Sequence, residues 1–293
     1  MSGVATAPVR VPGPEGPTLD PGWHHDVPMG EYLALRAMSA SGIELFRRSP
    51  LHFEWRTHQP STTSPALEKG TALHLALLEP EIFPLQVVRG IGGDGRTKAV
   101  RDARAALDAE FPEATVLTPS DFEDVIGMRD AVLAHPRARS ILAGGGASEV
   151  TGVWIDPETG VPCKMRPDRL VDRAPLMPDV KTTRDASPDS FRRQAANLGY
   201  FRKARWYRRG AESLGMDLTA SAFIAVENTA PYGVAVYLLR EEDLADADQE
   251  ITRLLNRFAM CATEDHWPGY GDEFQTLSMP SWARHSMEEN DDE

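Results

Sequence analysis

The spacing of apolar positions changes period several times along the chain. Segments with helical period predict helices over about 30–37, 40–48, 65–78, 97–110, 120–134, 188–197, 200–214 and 241–262. Ser39 or Ser41 is placed to cap the second of these, because a short hydroxyl accepts a bond from the free N–H groups of a first turn. Short runs rich in β-branched and aromatic residues predict strands over about 84–88, 149–155, 162–171, 177–182, 219–227 and 232–239. The last two read as a hairpin turning through Asn228–Pro231. V-T-G-V-W-I at Val150–Ile155 is followed by turn residues from Asp156 to Gly160. Val161–Val171 runs back, and a loop containing Pro and Ala leads into Met177–Thr182, so the three strands read as a meander. No internal repeat is visible. The pattern predicts an α/β chain with a helical N-terminal part to about residue 145, a sheet core over about 146–240 and a C-terminal helix ending near 265.

The chemistry of the meander changes the picture. Asp168 stands eleven positions before Asp179, and Lys181 two after it. Strand side chains alternate, so Asp179 and Lys181 share one face and Val180 points into the core. Two carboxylates from neighbouring strands suit a divalent cation such as Mg2+, which takes carboxylate and carbonyl oxygens. Asp168, Asp179 and the Val180 carbonyl are the candidate ligands. Lys181 is placed to orient or help deprotonate a water, or to hold a phosphate. Arg166, two residues before Asp168, is on the same face and is a candidate phosphate clamp. Glu149, at the start of the first strand, either supports the site, contacts substrate, or is an exposed strand-end acid. His74 sits amid Leu73, Leu75, Leu77 and Leu78, and by spacing alone reads as a core histidine.

Composition bounds the rest. The chain has 293 residues, 41% hydrophobic and 26% charged, enough length for a sizeable core. The net charge of −13 argues against a nucleic-acid partner, but its distribution does not. Between Lys181 and Arg209 stand nine Lys or Arg and two acids, a local net of +7. Arg202, Arg205 and Arg209 are on one helical face, and Lys203 and Tyr207 on an adjoining one. Residues 1–25 are Pro/Gly-rich and read as a flexible arm, and 286–293 as an acidic disordered tail. One domain over 26–285 lies between them. Two cysteines are too few for a disulfide framework or an iron–sulfur cluster and suit a reducing cytoplasm. No apolar run approaches membrane-spanning length. The glycine-rich G-I-G-G-D-G-R-T at Gly90–Thr97 lacks the spacing of a phosphate-binding Walker loop, so ATP is not implied. It reads either as a mobile loop or as a DNA contact through Arg96 and Lys98.

Taken together, R-P-D at Arg166–Asp168, D-V-K-T at Asp179–Thr182, Glu149 and the helix that follows resemble the PD-(D/E)XK nuclease superfamily. The narrower resemblance is to the RecE-type exonucleases of phages and prophages. It is carried in order by M-S-A-S-G-I-E-L-F-R-R-S-P at Met38–Pro50, G-T-A-L-H-L-A-L-L-E-P-E at Gly70–Glu81, D-A-S-P at Asp185–Pro188, Gly199–Tyr200, F-I-A-V-E at Phe223–Glu227 and W-P-G-Y at Trp267–Tyr270. The resemblance implies a restriction-endonuclease-like fold and a metal-ligating or metal-adjacent role for His74, with Mg2+ or Mn2+ as cofactor. It also implies 5′ to 3′ degradation of double-stranded DNA ends, a single-strand annealing protein as partner, a homo-oligomer, and a phage or prophage origin. Where the family has Q-x-x-x-Y, this chain has Lys203 and Tyr207, and the lysine is either a phosphate contact or a surface bystander. With Arg166, Arg202 and Arg205 they form the candidate DNA-binding set. An endonuclease on the same fold and a catalytically weakened DNA-binding protein remain open alternatives.

Overall fold

The computed structural model describes residues 9–13, 15–60, 64–171 and 176–279. Its first half carries β1 (Gly22–His24), α1 (Met29–Ala34), α2 (Ala40–Arg48), α3 (Pro50–Thr57), α4 (Pro65–Leu78), α5 (Phe83–Gln86), β2 (Val87–Arg89), α6 (Lys98–Glu110), β3 (Thr115–Leu117), α7 (Pro119–Ala134) and α8 (Pro136–Leu142). Then come β4 (Gly146–Ser148), β5 (Thr151–Ile155), β6 (Pro162–Met165), β7 (Arg169–Val171), β8 (Leu176–Thr183), α9 (Pro188–Asn197), α10 (Tyr200–Ser213), β9 (Ala220–Glu227), β10 (Val234–Leu238) and α11 (Glu241–Glu264). Helix starts follow their caps: Ser39 Oγ accepts from Gly42 N at 3.1 Å, and Ser64 Oγ from Leu67 N at 3.3 Å.

The sheet that matters most has the order β10-β9-β8, with β8 parallel to β9 and β9 antiparallel to β10. The α9–α10 crossover makes the parallel pairing possible. β9 is apolar on both faces, as a strand covered on both sides must be. Ile224 and Val226 pack with Leu73 of α4 and Met128 of α7, whereas Phe223 and Ala225 pack with Phe191 of α9. Val180 lies with the first group, opposite Ile224 in register. Asp179 and Lys181, opposite Phe223 and Ala225, are on the α10 side.

The expected meander is broken at two matching points. The strand predicted over 162–171 splits into β6 and β7 at Arg166–Pro167–Asp168, where proline has no N–H to give a ladder. The strand predicted over 149–155 is β5, starting at Thr151, and Glu149, at a left-handed φ of 53°, separates it from the short β4 that precedes the predicted range. β5 pairs with β6 and β4 with β7, but β8 pairs with β9 instead of completing the meander. The strand predicted over 84–88 is one helical turn, α5, followed by β2.

Part of the segment expected to be a flexible arm is seated on the body. Val11 is buried, Val9 N donates to Gly160 O at 3.2 Å, and Gly22–His24 pairs with β5. Residues 1–8 and the expected acidic tail lie outside the described residues. Among the described residues, no helix is long and apolar enough to cross a membrane.

Gly210 shows how closely α10 approaches the sheet. A Cβ there would stand 2.7 Å from both Trp154 Cζ3 and Met165 Sδ. Alanine would gain about 1 kcal/mol of helix propensity. Overpacking costs about 1–3 kcal/mol, and neighbours this deep have little room to shift. Gly210→Ala is therefore expected to destabilise the chain by about 1 kcal/mol, read as a lower denaturant midpoint. A midpoint equal to or above the parent's would contradict this packing.

Candidate active site

β8 is an outer strand of its sheet, so its free edge needs hydrogen-bond partners from elsewhere. At Val180 both backbone groups meet side chains. The N–H donates to Asp168 Oδ2 at 2.7 Å, and the carbonyl oxygen lies 3.1 Å from His74 Nε2. The tautomer protonated at Nε2 makes that second contact a hydrogen bond and leaves Nδ1 with a free lone pair. Nδ1 lies 3.7 Å from Asp168 Oδ1. Glu149 arrives from the β4–β5 break, its N–H donating to Asp168 O at 3.3 Å. A ring nitrogen of His74 and one carboxylate oxygen each from Glu149 and Asp168 lie within 4.8 Å of one another. Burial, and then the Asp168 charge, push the Glu149 carboxyl up to about 8.

Asp179 stands outside this trio. Lys181 Nζ contacts its Oδ2, and Lys203 Nζ lies 3.1 Å from Oδ1. Burial alone would raise the Asp179 carboxyl, but the two ammonium groups outweigh it and hold the carboxyl well below the usual range. Burial draws the Lys181 ammonium below its ordinary value, against the pull of Asp179. The Lys203 ammonium is held up by Asp179 against the same burial effect. Lys181 Nζ stands 5.0 Å from the Tyr200 ring centre and Lys203 Nζ 5.2 Å from that of Tyr207. His74, Glu149, Asp168, Lys181, Lys203 and Tyr207 all line one open cavity of about 1320 Å³.

The structure thus brings His74, Asp168 and Val180 together and places Asp179 beside them on the lysine side. Glu149 joins the donor set. Arg166 also lines the cavity, but its guanidinium is engaged: Nε and Nη2 donate to Thr151 Oγ1 at 3.1 and 2.7 Å, and Nη2 to Val27 O at 2.6 Å. Arg202 and Arg205 do not reach the cavity. Arg202 pairs with Glu44 and Glu250, and Arg205 with Asp248 and Glu212. The arginine face of α10 packs against acidic α11, so most of the basic strip is neutralised internally. Tyr32, whose ring lies 4.6 Å from the Arg166 guanidinium carbon and lines the cavity, was not foreseen. Nothing in its spacing to the acids marks it. Two carboxylates and an imidazole lone pair fit Mg2+ or Mn2+, and no thiolate competes, since Cys163 is buried with its Sγ donating to Val161 O.

Residues 39–280 match the family model described as a PDDEXK-like domain of unknown function (DUF3799). The chain belongs to this family. The PDDEXK-like assignment agrees with the restriction-endonuclease-like arrangement of β8, β9 and the flanking helices. Among solved structures, a provisionally named exonuclease from Eubacterium rectale is similar, with TM-score 0.56 and 12% identity over 83% of this chain and 90% of that one. At that identity the likeness speaks for the PDDEXK-like fold alone. An alkaline exonuclease from Laribacter hongkongensis covers 66% of this chain and 95% of its own, at 15% identity and TM-score 0.27, too low to carry an argument. No curated protein matches this chain.

The Glu149 environment makes metal-free stability depend on pH. Its carboxyl moves from an ordinary 4.5 to about 8 on folding. The unfolded chain therefore gives up its proton first, and stability falls as pH rises between those values. Glu149→Gln is expected to flatten this slope and raise the melting temperature at about pH 8 in excess chelator. Parallel melting curves of parent and variant from about pH 5 to 8 would refute it.

Proposed function

We propose that this protein is a divalent-cation-dependent, ATP-independent exodeoxyribonuclease acting on the ends of linear double-stranded DNA. The observation that carries the proposal is the convergence of His74, Glu149 and Asp168, with Lys181 on the same cavity. When bound, a Mg2+ or Mn2+ ion supplies positive charge against the scissile phosphate and acidifies a water. His74 would offer Nδ1, Glu149 and Asp168 one carboxylate oxygen each, with the Val180 carbonyl next to them. Asp179 holds Lys181 in place, and burial keeps the Lys181 ammonium readier than an exposed lysine to release a proton. Lys181 thereby serves either to position the attacking water or to hold a phosphate oxygen. Lys203 and Tyr207 line the same cavity, and Arg166 fixes its wall.

Family membership and the named exonuclease among its structural neighbours support phosphodiester hydrolysis. The 5′ to 3′ direction, the 3′ single strands passed to an annealing protein, the homo-oligomer and a phage-encoded role in recombination in the bacterial cytoplasm rest on the RecE-type sequence resemblance.

Digestion of end-labelled linear duplex in Mg2+, beside the same sequence as a covalently closed circle, tests the reading. The linear form is expected to be consumed from its ends, and the circle to survive. EDTA should abolish the reaction. Asp168→Ala should lower turnover by at least about a hundredfold while the chain stays folded, since it removes a ligand of the main transition-state charge. Undiminished digestion in excess EDTA, or near-parental turnover by a folded Asp168→Ala protein, would rule out this site. Cleavage of the circle would make the enzyme an endonuclease.

A further inference from the structure

The arginines of α10 are engaged within the chain: Arg202, Arg205, Arg208 and Arg209 all ion-pair with acids. The glycine-rich loop and the start of α6 are the opposite case. Arg96, Lys98, Arg101 and Arg104 crowd into one short stretch, and all four are exposed. Among the described residues, no carboxylate ion-pairs with any of them. The nearest acids in sequence are Asp94 and Asp102, and Asp94 Oδ1 accepts from Arg96 N at 2.9 Å. Two of the guanidiniums are held in place by neutral groups. Arg101 Nη1 donates to Arg96 O at 2.6 Å, and Arg104 Nε donates to Ile91 O at 3.2 Å. A Cβ at Gly95 would stand 3.1 Å from Arg104 Nη1, so glycine lets the loop close on this side chain. Backbone carbonyls fix the side chains but leave their charge uncancelled. No residue within α6 is buried, so the helix presents this row of cations to solvent.

Resting on the duplex-end reading above, we propose that the glycine-rich loop and the first two turns of α6 are a surface that holds the backbone of the uncut duplex, with Arg96, Lys98, Arg101 and Arg104 meeting its phosphates. The segment is tied to the cavity. Ile82 and Gln86 line it, β2 begins at the next residue, and the loop follows β2 directly. An extended chain spans at most about 3.5 Å per residue, so Arg96 stands no more than about 35 Å from Gln86. At 3.4 Å per base pair, that is about ten base pairs of duplex beyond the end being cut. The chemistry favours a duplex over a single strand. Single strands are held by aromatic rings on which bases stack, and the stretch from Val87 to Glu110 contains no aromatic residue. Cations without a stacking partner read the phosphate backbone and not the base sequence.

Anisotropy of a labelled duplex of about 30 base pairs, titrated with the full chain in EDTA across a salt series, tests this without any cleavage. Each phosphate contact contributes about 0.9 to the slope of log affinity against log salt. Changing all four residues to Gln is expected to make that slope shallower by about 3 to 4. Because Arg101 and Arg104 also bond the loop backbone, Arg96→Gln with Lys98→Gln is the second variant. It removes only charge, and the slope should become shallower by about 2. Arg96→Lys with Lys98→Arg should keep the parental slope. In Mg2+ at saturating duplex, the double Gln variant should turn over like the parent. A parental salt slope in the folded double Gln variant would overturn the assignment while leaving the nuclease reading intact. Parental binding with turnover lost at saturation would place these residues in the cavity's chemistry and overturn it equally. A parent that binds no duplex at any salt would overturn the duplex-end reading itself, and this inference with it.

Discussion

The site depends on how one edge peptide is satisfied. Val180 lies on the outer strand of the β10-β9-β8 sheet, so its outward N–H and C=O have no ladder partner. A buried, unmet backbone group costs about 1–3 kcal/mol, and hydrogen bonds to charged groups return a similar amount. Asp168 takes the N–H and His74 the carbonyl. Each of these side chains is delivered by an element with its own reason for being there. Leu73 and Ala76 bury α4 against the sheet, and Pro167 ends the β6 ladder so that Asp168 can turn toward β8. The hydrogen bonds that complete an exposed strand edge are therefore the same ones that bring a carboxylate and an imidazole together.

The charge of the chain is partitioned in a way composition does not reveal. The arginines of α10 look free in the sequence, yet α11 brings Glu241, Asp248 and Glu250 against them. Most of these pairs are partly exposed and individually worth little. Arg209 with fully buried Asp156 is the exception, because removing either partner would strand a buried charge. Collectively the pairs fix the rotation of α10 about its axis. That rotation turns Lys203 and Tyr207 toward β8, so the acidic helix α11 sets the position of these cavity-lining residues of α10 without itself lining the cavity.

Much of this was legible in the sequence, and what was not has identifiable causes. The bounds of α4 and α9 follow from periodicity, and the D-x-K strand follows from alternation, because both signals are local. The pattern runs a continuous strand through the break at Pro167, since the flanking residues keep their strand propensity on either side, and it gives no sign of the short β4 before Glu149. β1 reads as arm in the sequence because Pro and Gly dominate its neighbourhood. Its pairing is tertiary: Trp23 lies against Gly152, where a Cβ would stand 3.1 Å from its ring. Asp168 follows from the strand pattern, whereas His74 by spacing alone reads as a core histidine and gains its role only from the family resemblance. The turn of Asp179 toward two lysines is not legible, because Lys203 is 22 positions beyond Lys181 and only the crossover brings it back. Arg202 and Arg205 were read as DNA contacts for the same reason: a helix face can be predicted from periodicity, but not what it packs against.

The wall of the cavity and its acid are built from one short segment. Lys164, in β6, and Arg166 and Asp168, in the break that follows, stand at every second position; Lys164 and Arg166 both lie against the Tyr32 ring, and Asp168 reaches Val180 N. No residue within α1 is buried, so the helix lacks an apolar anchor of its own. It is held by cations instead. Lys164 Nζ donates to the carbonyls of Tyr32, Leu33 and Leu35 at 2.8, 3.1 and 2.8 Å, and Arg166 to that of Val27. Burial, with Arg166 close by, draws the Lys164 ammonium down to about 8, so this anchorage sits near its own limit of charge. The carbonyls it serves are those of a helix C-terminus, where positive charge is favoured. Because Asp168 lies only four residues on, any shift of this segment that loosens α1 also moves the carboxylate bonded to Val180. Wall and site are therefore mechanically one unit, joined through the K-x-R-x-D spacing and not through a hydrophobic core.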